Sequence, residues 1–246
     1  MTSLKSENNE MSIQSKKRLL KDVKDIYKTP LHDQGIYYIH DETNMKKGYA
    51  VVFGPSDTLY QYGAYFFELK YPNNYPFAPP KVIYMTNDGK TRFNPNLYKN
   101  GKVCLSLIGT WAGPGWTPCN TISSVLLSIK SMILVKDAIK NEPGFEKTTS
   151  LIIDSYEDTI KHENFRVAIL YILQKMPEPF ETYFRKDIEK YFVNNFDSYM
   201  KQIEEYKTSN IDKKVFVFKI YNLYINNNYE QIQTELNKIY NNIINK

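Results

Sequence analysis

Cysteine and histidine are scarce in this chain of 246 residues: two cysteines, Cys104 and Cys119, and three histidines, His32, His40 and His162. Two cysteines make no disulfide scaffold and fit a reducing compartment. Without CxxC spacing or paired histidines they cannot fill a tetrahedral zinc shell. No histidine lies in the stretch around either cysteine, so the triad signature of a hydrolytic cysteine enzyme is missing. Long apolar runs are missing as well, since Lys130 interrupts the longest one, Ser124–Val135, well short of a membrane span. The opening MTSLKSENNE is polar and lacks the apolar centre of a signal peptide. Together these absences lead to the expectation of a soluble protein of the cytoplasm and nucleus, with no membrane partner.

Clustered charge is absent too. Thirty-two basic and 27 acidic residues leave a net charge of +5, but no Lys/Arg run is interleaved with aromatics. The charge alone therefore gives little reason to expect a nucleic-acid partner. What is present is an ordinary globular balance, 42% hydrophobic and 24% charged, with 21 tyrosines to fill a core. The length suits one compact domain with an extension.

The most informative stretch runs from Arg92 to Thr121, RFNPNLYKNGKVCLSLIGTWAGPGWTPCNT. A free cysteine is by default a small buried hydrophobe. Around Cys104, however, Asn94, Pro95, Asn96, Asn100 and Gly101 make a polar, turn-prone loop, and only Val103–Ile108 is apolar. A thiol at the edge of such a loop is expected to be reachable by solvent and by a partner. With no general base and no metal, the remaining chemistry is a cysteine that accepts and releases an acyl group. The amide of Asn96, eight positions before Cys104, could donate a hydrogen bond to a tetrahedral oxyanion.

These residues resemble the active-site region of ubiquitin-conjugating enzymes, whose hallmark is His-Pro-Asn, the catalytic cysteine eight positions after that Asn, and then Trp-Ser-Pro. Here the corresponding residues are Asn94-Pro95-Asn96, Cys104 and Trp116-Thr117-Pro118. Gly54–Val82 is similar to the family's third and fourth strands and proline-rich loop. The resemblance covers roughly residues 12–172. Asn94 replaces the usual histidine, Gly109–Gly115 lengthens the interval from cysteine to tryptophan, and a further insertion lies at Asn87–Thr91. These departures look like the Z-type branch of the family, in which a helical C-terminal extension follows the core.

The resemblance implies an α+β fold of the UBC type: an N-terminal helix, a four-stranded antiparallel meander, a central helix and C-terminal helices. The expected division is a disordered tail at 1–11, a conjugating core at 12–175 and a helical extension at 176–246, packed on or beside the core. The residues agree with much of this. Leu19, Leu20, Val23, Ile26 and Tyr27 recur at helical intervals, with Lys16, Lys17, Arg18, Lys21 and Lys24 opposite. Strand-like alternation marks Gly35–His40, Gly48–Gly54, Gly63–Tyr71 and Lys81–Met85. Thr121 is a candidate N-cap for a helix over Thr121–Val135. Helical patterns follow at Thr149–Ile160, His162–Leu173, Phe180–Tyr206 and Val215–Ile244.

Roles follow from the resemblance. Cys104 would carry a ubiquitin or ubiquitin-like modifier as a thioester, and Asn96 would stabilise the oxyanion or brace the loop, supported by Asn94 and Pro95. Glu142, just before Pro143, would help the incoming lysine lose its proton. Without the family, Asn141–Gly144 is a plain turn and the lysines of the first helix are a solvated face. With it, Lys16, Lys17, Phe77, Trp116 and Pro118 would meet the activating enzyme and ligases, and Leu127 and Ser131 the modifier. From the residues alone, Phe77 has equal claim to face inward. Cys119 stands where a small ligase-facing residue is usual, and a disulfide to Cys104 stays open at this point. The resemblance implies a monomer with no bound metal or cofactor, ATP being used by the upstream activating enzyme. The alternative is a non-catalytic UBC-fold adaptor that binds ubiquitin or a partner protein. Variants of that kind lack the cysteine, so Cys104, Asn96 and Trp116 together favour the enzyme.

Overall fold

Alternating apolar side chains build the centre of the molecule. The structure is a computed structural model that describes residues 10–245. Of the expected N-terminal tail, residues 1–9 lie outside the described residues, and Met11 is buried. Strands β1 (Ile36–His40), β2 (Lys47–Phe53), β3 (Ala64–Lys70) and β4 (Lys81–Tyr84) form an antiparallel meander in the order β1-β2-β3-β4. In its register Val52 lies opposite Tyr65 on one side and Ile36 on the other. Because side chains alternate across a strand, Ala50, Val52, Tyr65 and Phe67 face one core while Tyr49, Val51, Phe53 and Phe66 face a second.

The first core is closed by α1 (Ile13–Lys28) and α2 (Ile122–Ser128). Ser12 caps α1 by accepting the backbone N–H of Ser15, the ordinary solution for an unsatisfied first turn. Leu19, Val23 and Ile26 are buried, whereas Leu20 and Tyr27 face solvent. Arg18, expected on the solvated basic face, turns inward: its Nε donates to buried Asp22 at 3.0 Å and its Nη2 to the Asn120 carbonyl at 2.7 Å. Its Nη1 donates to the Pro118 carbonyl. Thr121 caps α2 within a capping box. The helix expected to reach Val135 widens instead into a π-helical turn, Ile129–Ile133. This change matters for the site, because it leaves the Ile133 carbonyl to accept from Asn94.

The second core is covered by the C-terminal part of the chain. Helix α3 (Ser150–Glu163) runs through a π-helical stretch, Asn164–Tyr171, into the short α4 (Ile172–Gln174), one continuous rod where two helices were expected. On α5 (Phe180–Asn194), Phe180, Phe184, Ile188 and Phe192 recur every four residues and lie against the sheet. Phe180 stacks on Phe66 with ring centroids 4.5 Å apart, and Tyr191 stacks on Phe53 at 3.7 Å. Helices α6 (Phe196–Ser209) and α7 (Tyr229–Ile244) complete this layer. Among the described residues, no helix is long and apolar enough to cross a membrane.

The helix expected from Val215 onward is a correction. Residues Val215–Phe218 and Leu223–Asn226 are strands β5 and β6 of an antiparallel hairpin, and helix resumes only at Tyr229. VFVF alternates β-branched valine with aromatic phenylalanine, a composition that favours a strand. Phe216 enters the second core, whereas Phe218, Tyr221 and Leu223 enter the first. The hairpin is tied to α3 where Ser155 Oγ donates to the Val217 carbonyl at 2.6 Å.

A buried ionic cluster anchors the Asn87–Thr91 insertion. Glu163, fully buried, accepts from Thr91 Oγ1 at 2.5 Å and from Arg166 Nε at 2.7 Å, while Arg166 also pairs with Asp88. Asp88 Oδ1 receives the backbone N–H groups of Lys90 and Thr91. The chain therefore enters the Asn94 loop from a fixed point.

Candidate active site

Asn96 and Cys104 are joined by two hydrogen bonds. The backbone N–H of Cys104 donates to the Asn96 carbonyl at 2.9 Å. The Asn96 side-chain amide donates back to the Cys104 carbonyl at 2.8 Å. The amide thus braces the cysteine backbone, and Asn96 Oδ1 is buried without a partner. Asn94 fixes the other end of the loop. Its amide donates to Tyr60 Oη and to the Ile133 carbonyl, each at 2.7 Å, and its Oδ1 receives the Asn96 N–H at 2.8 Å. An asparagine has two donors and an acceptor in one plane, and all three contacts are used here.

Cys104 is not solvent-reachable as expected: it is only 1% exposed. The insertion after it is tied to the backbone beside the cysteine. Thr110 Oγ1 donates to the Val103 carbonyl at 2.7 Å and accepts the Leu105 N–H at 2.9 Å, gripping the backbone on both sides of the cysteine. Gly113 then packs so near Ser106 that a Cβ there would lie 3.1 Å from the serine Cβ. Cys119, by contrast, is exposed, and both cysteines are free thiols.

Glu142 sits at the end of a short 3-10 turn, Ala138–Asn141. Its Oε2 accepts from Arg92 Nη2 at 3.0 Å and from Tyr221 Oη at 2.8 Å. The same Arg92 nitrogen donates to the Pro95 carbonyl at 2.7 Å. A connected run of contacts therefore leads from Cys104 through Asn96 and Pro95 to Arg92 and Glu142.

The remaining expected residues are spread over the surface nearby. Phe77 is 72% exposed, which settles its orientation in favour of solvent. Trp116 is half-buried: its indole N–H donates to the Pro76 carbonyl at 2.6 Å, stapling the proline-rich loop to the Trp-Thr-Pro loop. Pro118 is exposed, and its carbonyl is held by Arg18. Leu127 and Ser131 are exposed on α2 and its π-helical continuation. Lys17 is exposed on α1, and half-buried Lys16 lies 3.9 Å from Glu10. Four residues of this neighbourhood were missed from the sequence: Arg18, Arg92, Thr110 and Tyr221. Thr110 lies inside the recognised insertion and was within reach of inspection. The other three act across long sequence separations and leave no local pattern.

Comparison with known proteins shows the family. The family profile described as Ubiquitin-conjugating enzyme matches residues 18–164. The chain belongs to the ubiquitin-conjugating enzyme family. Within it, the chain is 41% identical over 187 residues to the Ubiquitin-conjugating enzyme E2 Z of Homo sapiens, covering 74% of this chain and 51% of that protein. To the E2 Z of Xenopus tropicalis it is 40% identical over 198 residues, 78% of this chain and 61% of that protein. To the Probable ubiquitin-conjugating enzyme protein 17 of Caenorhabditis elegans it is 36% identical over 199 residues, 76% of this chain and 27% of that protein. These similarities place it with the Z-type branch. The chain spans about half the length of the E2 Z proteins it matches.

Proposed function

We propose that this chain is a conjugating enzyme in which Cys104 receives ubiquitin or a ubiquitin-like modifier from an activating enzyme and passes it to a substrate lysine. The observation that carries this reading is the hydrogen-bonded frame linking Cys104, Asn96, Pro95, Arg92 and Glu142. In the first step Cys104 Sγ attacks the carbonyl carbon of the activating enzyme's thioester. A new C–S bond forms, the old one breaks, and the Cys104 proton passes to the departing thiolate. In the second step the lysine amine attacks the same carbonyl, a C–N bond replaces the C–S bond, and the thiol is regenerated. Glu142 orients the incoming ammonium and receives its proton, a task that needs position more than basic strength. Thioester exchange is nearly isoenergetic, so proximity supplies much of the rate. No metal or bound cofactor enters these steps, and ATP is consumed upstream.

Because Cys104 is buried, loading requires the segment around the thiol to open. Activating enzyme and ligases would meet the face formed by Lys16, Lys17, Phe77, Trp116 and Pro118, and the modifier would lie on Leu127 and Ser131. Exposed Phe77 between prolines is a pre-organised anchor of the kind that dominates interface energy. The protein would work as a monomer in the cytoplasm and nucleus, with residues 12–175 as its conjugating core.

The test is a loading assay with ATP, ubiquitin and a panel of activating enzymes, read on a non-reducing gel. A band heavier by one modifier that disappears with thiol reductant supports the proposal. Its absence with every activating enzyme and modifier overturns it in favour of the adaptor. Asn96→Ala tests the brace. Removing the amide leaves the Cys104 carbonyl without its donor, at a cost of about 1 kcal/mol. Loading is expected to stay near wild type while discharge to free lysine slows roughly fivefold, the rate equivalent of about 1 kcal/mol. A variant that fails mainly at loading would show that Asn96 does not act in the transfer step.

A further inference from the structure

The C-terminal hairpin reaches Glu142 through Tyr221. Tyr221 lies in the turn between β5 and β6, is 5% exposed, and packs its ring edge-on to Phe218 at 5.0 Å and to Tyr156 at 6.2 Å. A phenol in such a place needs a partner for its hydroxyl, and the partner is Glu142 Oε2 at 2.8 Å. The other face of the contact is Arg92, whose guanidinium sits 4.2 Å from the Tyr221 ring centroid and 4.2 Å from that of Tyr98. Held between two rings and bonded to the Pro95 carbonyl, Arg92 has little freedom.

We infer that Tyr221 is a positioning residue for amine transfer, orienting the Glu142 carboxylate from the C-terminal hairpin. This rests on the conjugating reading and adds to it the part played by the hairpin. Two donors, Tyr221 and Arg92, converge on one oxygen, Oε2, and fix the rotation of the carboxylate. The side chain of Glu142 is 19% exposed, so it is not sealed from solvent. With one donor lost, the carboxylate can turn about its terminal bond, a soft two-fold torsion, and spends less time facing the amine. Burial and the neighbouring Glu142 charge push the Tyr221 phenol far up, against the opposing pull of Arg92. It therefore remains a donor throughout the physiological range.

Tyr221→Phe is the informative variant, since the ring keeps its packing on Phe218, Tyr156 and Arg92 and only the hydroxyl is lost. Charging by the activating enzyme is expected at the wild-type rate. Single-turnover discharge of the charged enzyme to free lysine is expected to slow roughly fivefold, the worth of one ordinary hydrogen bond. Discharge to hydroxylamine, an amine already unprotonated at neutral pH, is expected to change little. In a Glu142→Gln background the Phe substitution should slow lysine discharge no further, because its effect passes through Glu142. Wild-type lysine discharge by Tyr221→Phe overturns the inference. So does equal slowing with lysine and hydroxylamine, or a loss that multiplies with that of Glu142→Gln. If the wild-type protein accepts no modifier from any activating enzyme, the conjugating reading itself fails, which the charging step reveals before any discharge is measured.

Discussion

Replacing Cys104 with alanine is expected to remove the reductant-sensitive adduct altogether, with no residual band under conditions that fully charge the wild-type protein. The Cys104 sulfur is the nucleophile of the proposed frame, and no rearrangement of Asn96 or Glu142 supplies a substitute. The fold should survive, because Cβ remains and the deleted buried sulfur is comparable to a single methylene, costing about 1 kcal/mol. The melting transition therefore separates lost chemistry from lost structure. Cys104→Ser should instead accumulate an oxygen ester that resists thiol reductant and yields to base. Cys119→Ala should charge normally, since that thiol lies exposed on the Trp-Thr-Pro loop and outside the frame. If the adduct persisted in Cys104→Ala and vanished in Cys119→Ala, the assignment of the nucleophile would be wrong.

The largest effect on stability is expected from Arg166→Leu. Arg166 lies between Asp88 and Glu163, with Nη2 at 2.5 Å from a carboxylate oxygen of each. Removing one partner of a buried pair leaves an uncompensated charge, and the lower end of the usual range, about 3 kcal/mol, applies because Thr91 and His162 still contact Glu163. For a chain of this size that corresponds to a fall in Tm of roughly 6–12 °C. The pH dependence carries the signature. Burial alone would raise Glu163, but the hydrogen bonds from Arg166, His162 and Thr91 outweigh it and hold the carboxyl below its ordinary value. Asp88 is likewise held low, with the Thr91 N–H and Arg166 outweighing burial. A carboxylate with a depressed folded pKa stabilises above its unfolded value and loses that contribution as pH falls through the folded one. In Arg166→Leu burial dominates at Glu163 and the sign reverses. The gap in Tm between wild type and variant should therefore be widest near neutral pH and narrow as pH drops below about 5. A gap that stays constant over that range would refute the ionic account of the cluster.

Much of the architecture is legible in the sequence. The four strands of the meander fell within one residue of the expected runs, because alternation and Gly/Pro/Asn punctuation are local signals. Thr121 was legible as a cap for the same reason. The frame around Cys104 was legible only through its motif: Asn-Pro-Asn, the spacing to the cysteine and Trp-Thr-Pro name the residues without saying what each bonds to. Local pattern misled at Val215–Asn226, where Lys- and Tyr-rich neighbours obscured a short alternating strand. It was also silent about burial of Cys104, which depends on how the surrounding loops fold together.

By itself, then, the sequence determined the elements that repeat with a period of two or 3.6 residues, and it singled out Cys104 and its nearby asparagines as the candidate site. Only the tertiary structure decided that Arg18 leaves the basic face of α1 to hold the Trp-Thr-Pro loop, that the outer face of the sheet is covered by Phe180, Phe184 and Phe192, and that Tyr221 meets Glu142. The physical reason is distance along the chain. Periodicity is written by neighbours a few residues apart, whereas the contacts of Tyr221 with Glu142 and of Arg18 with Asn120 close separations of 79 and 102 residues. Such bonds depend on the packing of two cores against one sheet, and no local spacing encodes them.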